Sequence, residues 1–107
     1  MFVIVLTYEK PLAEIDRAMR EHVAFLEECY RAGAFLTSGR QVPRTGGVIL
    51  AHAAERADLE DVMRHDPLVR DGLATLEIIE FRTSFHHPAL APFADPGTRT
   101  IHDVPGV

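Results

Sequence analysis

The amino-terminal run Phe2–Tyr8 constrains the fold more than any other segment, because it is apolar on both faces. Its β-branched, aliphatic and aromatic residues favour a strand, and a strand without a polar face must be covered on two sides. The run therefore predicts a central strand. A chain of 107 residues is about the size of one domain, so the other elements must pack around this strand in a single core.

Periodicity and breaker residues predict two helices and three further strands. Apolar residues recur at helical spacing as far as Gly33, a natural C-terminal stop, and again after Asp58, a suitable N-cap. Pro67 disfavours helical geometry at the residue before it, so the second helix should end there. The predicted elements are a strand at 2–8, a helix at 12–32, strands at 34–42 and 48–52 joined by a Gly-Gly turn, a helix from 58 to about 66, a looser turn to 72 and a strand at 73–85.

This order, β-α-β-β-α-β, predicts an α+β chain with the ferredoxin-like arrangement of four antiparallel strands and two helices on one face. The strands near 2–6 and 76–81 are apolar on both sides, so the second sheet face would expose a large apolar surface. We therefore expect a homodimer joined through the sheet faces. Residues 1–85 would form the domain. Residues 86–107 hold four of the seven prolines and no periodicity, and would form a tail that is disordered or lies across the partner subunit.

Composition excludes several classes of function. The net charge of −5 gives the chain no electrostatic reason to bind nucleic acid or an anionic membrane surface. Cys29 is the only cysteine, which excludes an intrachain disulfide and fits a reducing compartment. The apolar run at the amino terminus is too short for a signal peptide or a membrane span. We therefore expect a cytoplasmic protein.

Two ionisable residues lie on predicted apolar faces. His22 shares the inward stripe of the first helix with Ile15 and Cys29, and Asp66 follows Leu59 at helical spacing in the second. A buried polar group needs a partner, so His22 is either a core histidine satisfied locally or one half of a pair. Asp66 either terminates the helix with the proline after it or provides that partner. A histidine oriented by a carboxylate is the minimal general acid–base arrangement.

Four other residues are weaker candidates for the functional site. Ser38 could donate a hydrogen bond to a substrate oxygen, Gly39 could let a ligand approach the backbone, and Arg40 follows them; the alternative is a glycine that permits a bulge. His65 either lines the same pocket or is solvated. No histidine spacing typical of a metal site and no dinucleotide fingerprint occurs, so we expect neither a metal nor a cofactor.

The chain resembles the YciI-like (YCII-related) family over roughly residues 1–84. The residues that carry the resemblance are Arg20-Glu21-His22, Gly33–Gly39, Asp66-Pro67-Leu68-Val69 and Gly72-Leu73. The resemblance implies a dimeric α+β barrel with a His–Asp pair, here His22 and Asp66, in a cleft beside the sheet, and with Ser38 in the pocket. One branch of the family resembles lactone dehalogenases of aromatic degradation. The tail after Phe85 departs from the compact family pattern.

These observations favour a small cofactorless enzyme that acts on a small organic molecule by acid–base chemistry. His22 would move the proton and Asp66 would orient the imidazole, in an isomerisation, an elimination or lactone chemistry. The alternative is a non-catalytic dimeric binding or accessory protein in which the two groups only satisfy each other. A cofactorless oxygenase is a third option, by analogy of fold alone. A pocket that opens onto His22 would favour an enzyme, and a sealed pair would favour the accessory protein.

Overall fold

The computed structural model describes residues 1–101. The first 80 residues hold four strands and three helices, and short elements follow. The elements are β1 (Phe2–Tyr8), α1 (Leu12–Arg31), β2 (Phe35–Arg40), β3 (Gly46–Ala51), α2 (Arg56–Met63), α3 (Pro67–Arg70), β4 (Ala74–Glu80), β5 (Phe85–His86), a 3₁₀ helix (Pro88–Phe93) and β6 (Arg99–Thr100).

Strands β1 to β4 form an antiparallel sheet in the order β2-β3-β1-β4, which confirms the predicted ferredoxin-like fold. The amino-terminal strand is central, with Ile4 opposite Ile49 on β3 and Ile78 on β4. Because side chains alternate along a strand, these three isoleucines share the face that the helices cover. All three are buried, and the core lies between this face and α1.

Helix α1 buries the face that its sequence predicted. Ile15, His22 and Cys29, seven residues apart in turn, are its buried residues. The helix ends at Arg31, and Gly33 adopts a positive φ of 80°, a conformation that glycine reaches without the steric cost of a side chain. No helix in the described part of the chain combines the length and apolar character needed to cross a membrane.

The second helical region differs from the prediction. Helix α2 begins at Arg56, so Asp58 lies in its first turn and does not cap it. The helix ends at Met63, and the expected loose turn after Asp66 is instead the short helix α3. The reason is that the fixed φ of proline suits the first position of a helix, so Pro67 starts a new helix as well as ending the old one.

Among the described residues 1–101, helices α1, α2 and α3 contribute their buried residues to the core on the first face of the sheet and leave the second face open. The register places Val3, Val5, Leu50 and Ile79 on that face. Val3, Val5 and Leu50 are half-buried and Ile79 is 45% exposed, so the apolar surface that the sequence predicts is present. The homodimer that would cover it stays a prediction.

The predicted tail has local structure as far as residue 101. Strands β5 and β6 pair in parallel, and the carboxylate of Asp95 accepts hydrogen bonds from the backbone N–H and hydroxyl of Thr83. These contacts hold the pKa of Asp95 below its ordinary value. Phe93 packs edge-on against His52, which links the 3₁₀ helix to the end of β3. The rest of the predicted tail, 102–107, lies outside the described residues. A domain boundary near residue 85 stays a prediction.

Candidate active site

The imidazole of His22 is the centre of the site. It projects from the middle of α1 towards the sheet, and the residue is 9% exposed. Its Nδ1 lies 2.9 Å from Oδ1 of Asp66, which comes from the other helical region. An ionised carboxylate can only accept, so in the neutral ring Nδ1 carries the proton, and its N–H donates a hydrogen bond to Asp66. The lone pair of the neutral imidazole is then on Nε2.

Asp66 is fixed by the helix that it starts. The residue is fully buried, and its Oδ1 also accepts a hydrogen bond of 3.0 Å from the backbone N–H of Leu68. This contact caps α3. Of the two alternatives weighed from the sequence, Asp66 does contact His22, but it does not terminate the second helix: α2 ends at Met63, and Asp66 caps the start of α3. Its Oδ2 is buried without a hydrogen-bond partner among residues 1–101.

A cleft of about 290 Å³ lies between α1 and the sheet, and His22 lines it. Within residues 1–101 the His22 Nε2 is neither hydrogen-bonded nor fully buried, so this nitrogen is accessible to a molecule in the cleft. The lining is mostly apolar, with a few polar groups that come from both α1 and the sheet. The residues around the cleft are Leu6, Tyr8, Met19, His22, Val23, Leu26, Ser38, Gly39, Arg40, Arg44, Gly47, Val48 and Ile49.

Strand β2 brings three of the predicted site residues to this cleft. Ser38, Gly39 and Arg40 all line it. Ser38 pairs with Ile49 and Arg40 with Gly47, positions on the helix-facing side of β3, so both side chains lie on the cleft side of the sheet. The Ser38 hydroxyl is 2.6 Å from the hydroxyl of Tyr30 on α1, which fixes its position.

His65 is not brought to the cleft. Its side chain is exposed, and its Nδ1 lies 3.0 Å from the backbone carbonyl of Asp61. It borders a separate groove between α1 and α3, together with Glu28 and Arg70. Neighbouring residues at the end of α2 therefore point to different sides of α1: Asp66 inward to His22, and His65 outward.

Arg44 is a cleft residue that the sequence did not single out. It lies in the β2–β3 connection, and its guanidinium is 2.6 Å from a carboxylate oxygen of Asp16 on α1. This hydrogen bond holds the pKa of Arg44 above its ordinary value. The same guanidinium lies 6.0 Å from the ring centre of Tyr8, within reach of a cation–π contact. Since the contact with Asp16 is tertiary, no local sequence pattern indicates it.

Cys29, seven residues or about two turns after His22 on α1, is buried. Burial and the negative charge of Asp66 raise the pKa of its thiol to about 11, so it is a neutral thiol at physiological pH. Among residues 1–101, no group of three or more His, Cys, Asp or Glu side chains is placed to hold a metal ion.

Comparisons with known proteins agree with this architecture. The family model of the YCII-related domain matches residues 1–82. No curated protein matches the sequence. Among solved structures, the chain is similar to a 5-chloro-2-hydroxyhydroquinone dehydrochlorinase from Burkholderia phenoliruptrix, solved in complex with 2,5-dihydroxybenzoquinone. The TM-score is 0.61 at 17% identity, over 78% of this chain and 95% of that one. At this identity the likeness establishes the fold alone.

Proposed function

This chain belongs to the YCII-related domain family, and we propose that it is an enzyme that needs no cofactor and transforms a small organic molecule by acid–base catalysis. His22 is the catalytic base and acid in this proposal. Asp66 is a positioning residue, because it acts on the substrate only through the imidazole. Ser38 and the backbone at Gly39 hold a substrate oxygen.

The single observation that carries the proposal is the two-sided environment of the His22 ring. Its Nδ1 is held by a buried carboxylate at 2.9 Å, whereas its Nε2 is accessible from the cleft. A ring with one nitrogen held and the other accessible suits a proton acceptor, because the Asp66 carboxylate stabilises the imidazolium that forms when Nε2 takes a proton. In the non-catalytic alternative both ring nitrogens would be satisfied within the fold, which the contacts of His22 do not favour.

Three reaction classes fit a base of this kind: elimination, isomerisation and lactone chemistry. In an elimination, Nε2 takes a proton from a hydroxyl or carbon of the substrate, a new double bond forms, and the leaving group departs with its electron pair. Loss of a proton and chloride is balanced without an oxidant or reductant. The similar dehydrochlorinase carries that reaction type in its name, which makes chlorinated hydroxyhydroquinones the first substrates to test.

The test is a substrate screen with matched variants. Chlorinated hydroxyhydroquinones, enol lactones and unsaturated hydroxy acids are incubated with the purified chain, and chloride release or the change in absorbance is followed. Once turnover is found, His22→Ala should lower it by about 10²–10⁴-fold, the range for loss of a general acid or base. His65→Ala removes a neighbouring histidine outside the cleft and should keep turnover near that of the wild type. Unchanged turnover in a folded His22→Ala variant would contradict the assignment.

We also propose that the working form is a homodimer joined through the uncovered sheet face, located in the cytoplasm. Half-buried apolar residues such as Val3, Val5 and Leu50 form that face, which helices α1, α2 and α3 leave open. A second copy would remove this surface from water, and apolar burial is the main favourable term in such an association.

A further inference from the structure

We propose that the cleft selects small organic anions and that Arg40 binds the anionic group. The inference depends on the proposed function only for the reaction that follows binding. It names the substrate class that the same cleft would accept: a carboxylate, or the enolate or phenolate of a hydroxylated ring.

The charge of the cleft is opposite to that of the chain. The chain has a net charge of −5, and acidic residues outnumber Lys and Arg by 16 to 11. Yet none of the described residues that line the cleft is Asp or Glu, and the ionisable lining groups include Arg40 and Arg44. Cations collected in a concave, largely apolar site raise the local concentration of anions and disfavour cations. The cleft is therefore built for a ligand of negative charge.

Arg40 and Arg44 differ in whether their guanidinium groups already have a partner. Arg44 already forms an ion pair with Asp16 at 2.6 Å, so its charge is balanced by a neighbouring carboxylate. Arg40 forms no ion pair or hydrogen bond through its side chain with any residue of the described range 1–101. A guanidinium with five free donors binds carboxylates and other planar oxyanions through two parallel hydrogen bonds. Arg40 is thus the cation that is available to a ligand.

The strand geometry places Arg40 beside the other polar groups. Ser38 and Arg40 alternate with Gly39 on β2, so both side chains share one face of the sheet and border the cleft that His22 lines. The remaining walls are apolar, from Met19, Val23 and other residues. One charged end, one catalytic nitrogen and apolar walls suit a compact ring or short chain that bears an oxyanion. A guanidinium at this place would also stabilise negative charge that develops on the substrate when His22 removes a proton.

The experiment measures binding without turnover, by isothermal titration calorimetry on the 107-residue chain. Two pairs of probes distinguish the sources of the anion: benzoate against benzamide for a carboxylate, and 2,5-dihydroxybenzoquinone against 2,5-dimethoxybenzoquinone for an enolate. Each pair is measured with the wild type, Arg40→Gln, Arg40→Lys and Arg31→Gln. Arg31 pairs with Glu27 at the end of α1 and does not line the cleft, so its variant removes the same charge elsewhere.

The wild type should bind the anion of at least one pair about 10- to 100-fold more tightly than its neutral partner, as expected for charge-assisted hydrogen bonds. Arg40→Gln should abolish that preference, Arg40→Lys should keep part of it, and Arg31→Gln should keep all of it. Equal affinity within both pairs, no binding of either anion, or a full preference in Arg40→Gln would overturn the proposal. These readouts are independent of turnover, so a His22→Ala variant that stayed active would refute the catalytic assignment without affecting them.

Discussion

Truncation of Asp66 should cost much more stability than its isosteric replacement. In Asp66→Ala, α3 loses its side-chain cap, worth about 1 kcal/mol, and the buried Nδ1–H of His22 loses its acceptor, worth about 1–3 kcal/mol. The expected loss is about 2–4 kcal/mol, or roughly 10–25 °C in Tm for a domain near this size. In Asp66→Asn, the amide oxygen can still accept from both donors, so the loss should be about 1 kcal/mol or less.

Urea unfolding followed by circular dichroism measures both free energies of unfolding. Asp58→Ala is the matched control, because Asp58 is an exposed aspartate near the start of α2 that makes no cap. It should change the free energy of unfolding by less than about 1 kcal/mol, the size of a charge–dipole contribution. If Asp66→Ala were no more destabilising than Asp58→Ala, the buried hydrogen bonds of Asp66 would not hold α3 and His22 together as described.

Three further predictions concern other parts of the molecule. The pKa of Cys29 is about 11 in the folded chain, against 9.0 for the ordinary thiol, so the unfolded state loses this proton at a lower pH. The free energy of unfolding should therefore fall as pH rises from 9 to 11. Urea unfolding at several pH values measures this fall, which should be smaller in Cys29→Ala. In sedimentation velocity the chain should run as a dimer of twice 11.9 kDa. Val5→Glu on the open sheet face should disrupt the dimer, whereas Leu12→Glu on the exposed side of α1 should leave it intact. A stable wild-type monomer at micromolar concentration would contradict the dimer. Deletion of residues 88–107 should leave a folded domain with Tm lowered by a few degrees, whereas loss of all soluble protein would show that the tail is a structural arm.

The sequence predicted the fold because its local patterns agree with its topology. Alternation, helical periodicity and glycine stops gave the element order and the buried position of His22 between Ile15 and Cys29. Val23 is an apolar residue of α1, yet it is 43% exposed. It borders the cleft, so an apolar residue at this position lines a site rather than a core.

The site was only partly predictable for two physical reasons. Asp66 was identified on the wrong element: the sequence placed it on the stripe of a continuous second helix, whereas it lies between two helices because Pro67 starts a new one. Its position facing His22 depends on the way that α3 packs against α1, which no periodicity describes. Arg44 reaches the cleft through Asp16, a residue 28 positions away, and such a contact leaves no local signal.

The central claim is that Asp66 holds His22 in the tautomer that leaves Nε2 for a substrate. A long-range ¹H–¹⁵N correlation spectrum of the histidine rings, with His22 assigned by a His22→Gln variant, tests this directly at a pH where the ring is neutral. We expect a protonated Nδ1 and an unprotonated Nε2 in the free protein, and a shift of the Nε2 resonance when 2,5-dihydroxybenzoquinone is added. A proton on Nε2, or a His22 ring unchanged by a ligand that shifts the Ser38 amide, would contradict it.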